Sequence, residues 1–137
     1  MLNRVGLFLL LAIAPIISLG PAHAQEDFIE GAWQQIVSNA GACPKCRILI
    51  GQGGGRLSVV ANNGWSAVVS IQRTKDPLEA TGTGIWARGS LRTTAGRPFN
   101  VVFRLRDQRL YMSLCVEMED GSRRPIKAVF GRVWFGA

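Results

Sequence analysis

The stretch from Phe99 to Met118 reads FNVVFRLRDQRLYMSLCVEM and consists of two alternating runs on either side of Asp107 and Gln108. Apolar side chains alternate with mostly polar ones in both runs. They occupy Phe99, Val101, Phe103 and Leu105 in the first run, and Leu110, Met112, Leu114, Val116 and Met118 in the second. Because side chains on a strand point to opposite faces with a period of two, each run has one apolar face. The stretch therefore predicts a β-hairpin that is half-buried on both strands.

Six further segments have the same short, strand-like pattern. They are Trp33–Ser38, Arg47–Ile50, Arg56–Ala61, Trp65–Arg73, Thr81–Gly89 and Ile126–Phe135. Turn residues separate them, as in Asn62-Asn63-Gly64, which tolerates positive φ, and in the loop around Pro77, which cannot donate to a ladder. With the hairpin they make eight strands. The sequence predicts an all-β fold, a small antiparallel up-and-down barrel of about eight strands, with a two-sheet β-sandwich as the alternative.

The first 24 residues have the three parts of a secretory signal peptide. Arg4 gives a positive start, Val5–Ile17 is an apolar run too short to be a stable transmembrane span, and Ala22-His23-Ala24 is a cleavage signal. We expect residues 1–24 to be a signal peptide cut between Ala24 and Gln25. Residues 25–137 then form a single all-β barrel domain, periplasmic or secreted, with no transmembrane span.

The chain has a single histidine, His23, and it lies within this leader. A mature chain without histidine excludes Ser-His-Asp and Cys-His catalysis and sites for zinc, copper or iron that depend on histidine. No other catalytic, metal-binding or cofactor-binding constellation is visible. We therefore expect a non-enzymatic protein with no catalytic residues, no metal and no cofactor.

The charge balance is basic, with sixteen Lys and Arg against nine Asp and Glu, a net charge of +7. Without Arg4 the basic count is fifteen and the net charge is +6. Such an excess favours anionic neighbours, for example an anionic lipid surface, although scattered charge also serves solubility alone. The basic residues form no compact run or helical stripe, so we expect no nucleic-acid partner.

The three cysteines are Cys43 and Cys46, in the sequence Cys-Pro-Lys-Cys, and Cys115. In an oxidising compartment a structural disulfide is the favoured interpretation. Pairing Cys43 with Cys46 would close a very small loop, whereas Cys115 with either would close about seventy residues, worth roughly 4 kcal/mol in the chain-entropy model. The third cysteine would be a free thiol or would form an intermolecular bridge. A redox pair of the thioredoxin type is the alternative, although that site needs a helix behind its first cysteine.

Three residues are candidates for ligand or partner binding. Trp86 lies beside Arg88 and on the strand face opposite Thr83 and Ile85, and an exposed Trp next to Arg is typical of binding hot spots. The alternative is a Trp that packs across the closure of the barrel. Tyr111 belongs to the aromatic residues that could line a ligand cavity, although an interior filled by side chains is the favoured alternative.

Gly31-Ala32-Trp33 is a G-x-W sequence at the start of the first strand, and Arg132 lies on the last strand. In these features the chain resembles the calycin superfamily, the lipocalin-like and avidin-like barrels. The resemblance implies that Trp33 plugs one barrel end with the Arg132 guanidinium stacked on its indole. The barrel pattern and the lack of a catalytic constellation predict an exported, non-enzymatic binding module that recognises a small apolar ligand or an envelope protein such as a protease. Bacterial protease inhibitors use barrels of similar size, so the fold alone does not choose between the two. A thiol- or redox-linked envelope protein that uses Cys43 and Cys46 is the alternative.

Overall fold

A computed structural model describes residues 28–73, 76–89 and 93–134 of the chain. It contains eight strands, β1 (Gly31–Ser38), β2 (Arg47–Gly53), β3 (Arg56–Ala61), β4 (Trp65–Gln72), β5 (Leu78–Trp86), β6 (Pro98–Arg106), β7 (Arg109–Glu117) and β8 (Arg123–Arg132). Each strand pairs antiparallel with the next, and β8 pairs with β1 to close the barrel. The predicted up-and-down barrel is confirmed, and the alternative sandwich is wrong. The predicted signal peptide and its cleavage point lie outside the described residues.

The predicted hairpin is formed by β6 and β7, which are joined by the two-residue turn Asp107–Gln108. Both turn residues have positive φ, 49° and 64°, the conformation that a tight hairpin turn needs to match the twist of its strands. The apolar positions of both strands are buried inside the barrel, as the alternation predicts. This hairpin therefore supplies a large share of the core.

Two glycines of β5 let the backbone pass very close to its neighbours. A Cβ atom at Gly82 would overlap the backbone of Val68 on β4, and one at Gly84 would overlap Ser66 and the ring of Phe99. Glycine inside a strand is typical of such close backbone contact. Phe99 therefore fills the space over Gly84 that a side chain on β5 would otherwise take.

The ends of β5 and β8 differ from the prediction. β5 begins at Leu78, directly after Pro77, and ends at Trp86, whereas the sequence placed Leu78 in a loop and continued the strand to Gly89. β8 begins at Arg123 instead of Ile126 and ends at Arg132, while the predicted end, Phe135, lies outside the described residues.

Pro125 lies inside β8, and the position explains why the strand accepts it. The last β1 residue paired with β8 is Ser38, opposite Ala128, so β8 runs on beyond its neighbour. The Pro125 carbonyl points to that side, where it accepts a hydrogen bond from the Asn39 amide at 3.3 Å. The nitrogen of Pro125 points the same way and faces no strand, so the missing N–H removes no ladder hydrogen bond.

The connections alternate between the two ends of the barrel. We call open end the end at which β1 runs into β2, β3 into β4, β5 into β6 and β7 into β8, and closed end the opposite one. The half of the interior near the closed end is filled by fully buried side chains, among them Trp33, Phe103, Leu110 and Phe130. Within the described residues, no helix has the length and apolar character required to cross a bilayer.

Candidate binding site at the open end of the barrel

The open end contains a cavity of about 430 Å³. Its apolar wall is formed by Trp86, Met112, Leu114 and Ile126. Its polar groups come from a second set of side chains, Gln35, Ser38, Asn39, Asn63, Thr94 and Arg124. The barrel is therefore filled in its closed half and hollow at its open end. The two predicted interiors, one filled by side chains and one with a ligand cavity, each describe only one half.

One wall of the cavity is stiffened by an aromatic cluster. Trp65 and Trp86 are direct cross-strand partners on β4 and β5, and their ring centroids are 6.4 Å apart. Phe99 on β6 packs edge-on against both, at 5.7 Å from Trp65 and 6.2 Å from Trp86. Edge-to-face packing of this kind fixes the orientation of each ring. The indole of Trp86 is thus a rigid apolar surface at the cavity.

The opposite wall owes its polar groups to an irregularity in β1. The register with β8 shifts between Gln35 and Val37, so that Gln35 lies opposite Phe130 and Ser38 lies opposite Ala128. Phe130 and Ala128 are buried on the inner face, and Gln35 and Ser38 share that face. An extra residue in one strand re-aims the side chains that follow it. Without this bulge Ser38 would point outward.

The rim of the cavity is held by hydrogen bonds of polar side chains. The Asn39 carboxamide extends the ladder past the end of β1, because its Oδ1 accepts from the Lys127 N–H at 2.8 Å while its backbone N–H donates to the Lys127 carbonyl at 3.1 Å. The Arg124 guanidinium donates to the Thr93 hydroxyl at 3.2 Å. In the nearby turn, hydrogen bonds from Ser122 lower the pKa of Asp120.

Cys43 and Cys46 form a disulfide in the loop between β1 and β2, with Cα atoms 5.3 Å apart. Two polar side chains enclose this turn. Gln34 donates to the carbonyls of Pro44 and Cys46 at 3.0 and 2.9 Å. From the other side, the Asn62 amide donates to the Lys45 carbonyl at 2.8 Å. The disulfide and these bonds tie the loop to the barrel wall.

Cys115 is the third cysteine and is a free thiol in this structure. It is half-buried on the outer face of β7, opposite Asn100 on β6 and Pro125 on β8. Among the described residues, no three His, Cys, Asp or Glu side chains come together as a group that could hold a metal ion.

At the closed end, Arg132 covers Trp33. The guanidinium carbon lies 4.1 Å from the centre of the indole, and the indole N–H donates to the Ile29 carbonyl at 2.9 Å. Arg132 also donates to the carbonyls of Glu30, at 2.8 Å, and Phe28. Burial lowers the pKa of Arg132, and the Glu30 carboxylate offsets part of this change. The pair seals this end of the barrel and leaves the open end as the place for a ligand.

The three binding candidates do not form one site. Trp86 is only 4% exposed and lies on the inner face, so the expected exposed hot spot is wrong and the alternative, packing inside the barrel, describes it. Arg88 is exposed in the loop after β5. Tyr111, 41% exposed, lies on the outer wall, in a depression of about 420 Å³ that it shares with Arg104 and Lys127.

Sequence reasoning missed the polar residues of the cavity. Gln35 and Ser38 belong to a run of β1 in which two consecutive exposed apolar residues, Ile36 and Val37, interrupt the alternation. That interruption is the one sequence signal of the bulge. The sequence correctly placed Met112 and Leu114 on the inner face. Whether an inward side chain borders a cavity depends on the residues that lie across the interior from it.

Comparison of the chain with protein-family models, with curated proteins and with solved structures found no match.

Proposed function

We propose that this protein is an exported, non-enzymatic binding module that holds a small ligand in the cavity at its open end. The observation that carries the proposal is the cavity itself, about 430 Å³ in a barrel whose other half is filled. Ligand sites are typically apolar clefts of about 300–1,000 Å³ with a few placed polar groups. This cavity has that composition and fits a ligand at the small end of the range.

The lining indicates which chemistry such a ligand has. An apolar or aromatic body packs against Trp86, Met112 and Leu114, because burial of apolar surface is the main source of affinity in such a site. Gln35 and Ser38 offer amide and hydroxyl groups to a polar substituent on the same molecule. Their role is to orient the ligand, since a buried polar group without a partner weakens binding.

The setting of this function is part of the proposal. The leader at residues 1–24 supports export to the periplasm or beyond, and a disulfide is typical of such compartments. The calycin relationship is proposed on the stack of Arg132 over Trp33 together with the eight-strand meander. Both features are also compatible with other small barrels, so the proposed function rests on the cavity and not on kinship.

The disulfide favours a structural role over the thiol or redox alternative. Cys46 is only 5% exposed and its loop is bonded to Gln34 and Asn62. Redox-active pairs place an accessible thiol at a helix N-terminus, which lowers its pKa. Cys46 instead follows a turn in which its own N–H donates to the Cys43 carbonyl at 3.1 Å.

Native mass spectrometry of the mature protein taken from the periplasm tests the proposal. We expect a retained small molecule in the wild type. In Ser38→Phe the new ring points into the cavity and displaces the ligand, so we expect the retained mass to disappear. Val37→Phe is the matched control, since the neighbouring side chain points outward and is 56% exposed. A protein that retains nothing, or retains the same molecule in Ser38→Phe, contradicts the proposal.

A further inference from the structure

Arg124 is the one charged side chain among the described residues that line the cavity at the open end. The other polar groups of this lining are neutral amides and hydroxyls, from Gln35, Ser38, Asn39, Asn63, Thr93 and Thr94. No Asp or Glu of the described chain belongs to the lining. The cavity therefore has a positive charge that no acidic side chain of its own wall balances.

The strand β8 places this charge at the mouth of the cavity. Arg124 shares the inner face of β8 with Ile126, Ala128 and Phe130, because side chains alternate along a strand. Its cross-strand partner on β7 is Val116, which is fully buried. Phe130 belongs to the filled core, Ile126 to the apolar cavity wall, and Arg124 is exposed. The inner face of β8 thus changes from apolar to charged toward the open end.

The guanidinium of Arg124 is held in place without being neutralised. It donates to the Thr93 hydroxyl at 3.2 Å, which uses one of its five N–H donors. Among the described residues no carboxylate forms an ion pair with Arg124. The lowered pKa of Asp120 comes mainly from hydrogen bonds of Ser122, and the charge of Arg124 is the smallest of its causes. Arg124 therefore keeps donors and charge for a ligand.

We infer that the ligand of this cavity is an organic anion, a small molecule with an apolar body and one acidic group that binds Arg124 at the mouth. The inference rests on the proposed function, because it names the chemistry of the molecule held in the same cavity. A guanidinium is suited to this role, since its paired N–H groups match two oxygens of one carboxylate or a similar acidic group.

The position of Arg124 favours a ligand that enters with its apolar part first. An acidic group at the mouth keeps part of its water, so it avoids the desolvation cost of a buried ion. The body beyond it packs on Trp86 and Leu114 and is removed from water. A cation would be repelled by Arg124 and by a chain with sixteen Lys and Arg against nine Asp and Glu.

Fluorescence titration of the dialysed mature protein with two dyes tests the inference. Anilinonaphthalene sulfonate is aromatic with one acidic group, and phenylnaphthylamine is the parent molecule without the sulfonate. We expect Arg124→Gln to weaken binding of the anionic dye about tenfold and to leave the neutral dye unchanged, because only the former forms charged hydrogen bonds. Arg123→Gln is the matched control, since it removes the same charge from the neighbouring residue, which lies opposite Glu117 on the outer face. It should change the binding of neither dye.

Ser38→Phe separates this inference from the proposed function. The new ring fills the cavity, so we expect it to abolish the binding of both dyes. If Arg124→Gln binds the anionic dye as tightly as wild type, or no more weakly than Arg123→Gln does, the inference is overturned while the cavity remains a ligand site. If neither dye binds the wild type, or Ser38→Phe binds both unchanged, the proposed function fails and the inference fails with it.

Discussion

Arg132 makes ring contacts and hydrogen bonds at the closed end of the barrel. Its guanidinium lies over Trp33 and also faces the rings of Phe28, at 4.7 Å, and Trp134, at 5.5 Å. It donates to two backbone carbonyls that precede β1. Gly31 makes room for it, because a Cβ there would lie 3.0 Å from Nη1. The residue thus joins the start of β1 to the end of β8.

Replacing Arg132 should lower stability without unfolding the protein. In Arg132→Met the two hydrogen bonds and the cation–π contact are lost, and we expect the free energy of unfolding to fall by about 1–3 kcal/mol. Arg132→Lys keeps the charge but not the flat fork of donors, and should recover less than half of this loss. Equilibrium unfolding in urea measures both. Equal stability of wild type and Arg132→Met would contradict the role given to Arg132.

Trp86 shows where the sequence misleads. The alternation correctly placed it on the face opposite Ile85, but left open whether that face is exposed or packed inside the barrel. Its nearest neighbours on that face of β5 are Gly82 and Gly84, which give no hydrophobic signal. The core space above them is filled by Phe99, from another strand. Which face of β5 points inward therefore depends on Phe99 of the neighbouring strand, which the sequence of β5 itself does not reveal.

Among the turns, the one between β6 and β7 is under conformational strain. Gln108 has a φ of 64°, a region that is unfavourable for residues other than glycine, and to a lesser degree Asn and Asp.

Gln108→Gly should stabilise the hairpin by about 1 kcal/mol, since glycine adopts this φ without steric cost. Gln72→Gly is the control, because Gln72 is an exposed strand residue and glycine there should destabilise by about 0.5–1 kcal/mol. Thermal unfolding followed by circular dichroism separates the two, with opposite shifts in Tm. A fall in Tm for Gln108→Gly would show that the Gln side chain makes a stabilising contact.

The disulfide loop between β1 and β2 leads to a prediction about stability and not about reactivity. Cys43→Ser with Cys46→Ser should cost about 2 kcal/mol, the chain-entropy value for so small a loop. The hydrogen bonds from Gln34 and Asn62 should keep the loop in place.

Unfolding of the double variant, compared with Cys115→Ser, checks this prediction, because only the former removes a bond. The free thiol of Cys115 should be dispensable for folding. Catalysis of disulfide exchange by the wild type, lost in the double variant, would instead support the redox alternative.

The ends of a strand could be predicted where its side chains alternate. They could not be predicted where they depend on how far the neighbouring strand extends. The β6–β7 hairpin has strict alternation, and its ends match the prediction closely. Pro125 signals a break in local sequence, yet it is accepted in β8 because β1 has already ended at that level. The bulge in β1 was unpredictable for the same reason, because it is defined only by the register between β1 and β8.

For the barrel as a whole, the eight-strand meander was predictable, because the number of strands follows from the turn residues between short alternating runs. The cavity was not. Its apolar lining brings together Trp86 from β5 and Leu114 from β7, and Gln35 and Ser38 reach it through the β1 bulge. Those are relations between distant parts of the chain. A list of inward-facing residues does not show whether they meet.

The contacts of Arg132 with both Phe28 and Trp134 have a practical consequence. It brings the first and last described residues of the chain together at the closed end, far from the mouth of the cavity. A purification tag or an immobilising linker fused directly to Phe28 or Trp134 would therefore start at the end of the barrel away from ligand entry. A short peptide joining the two ends would also permit a circularly permuted version, with new termini cut into one of the exposed turns.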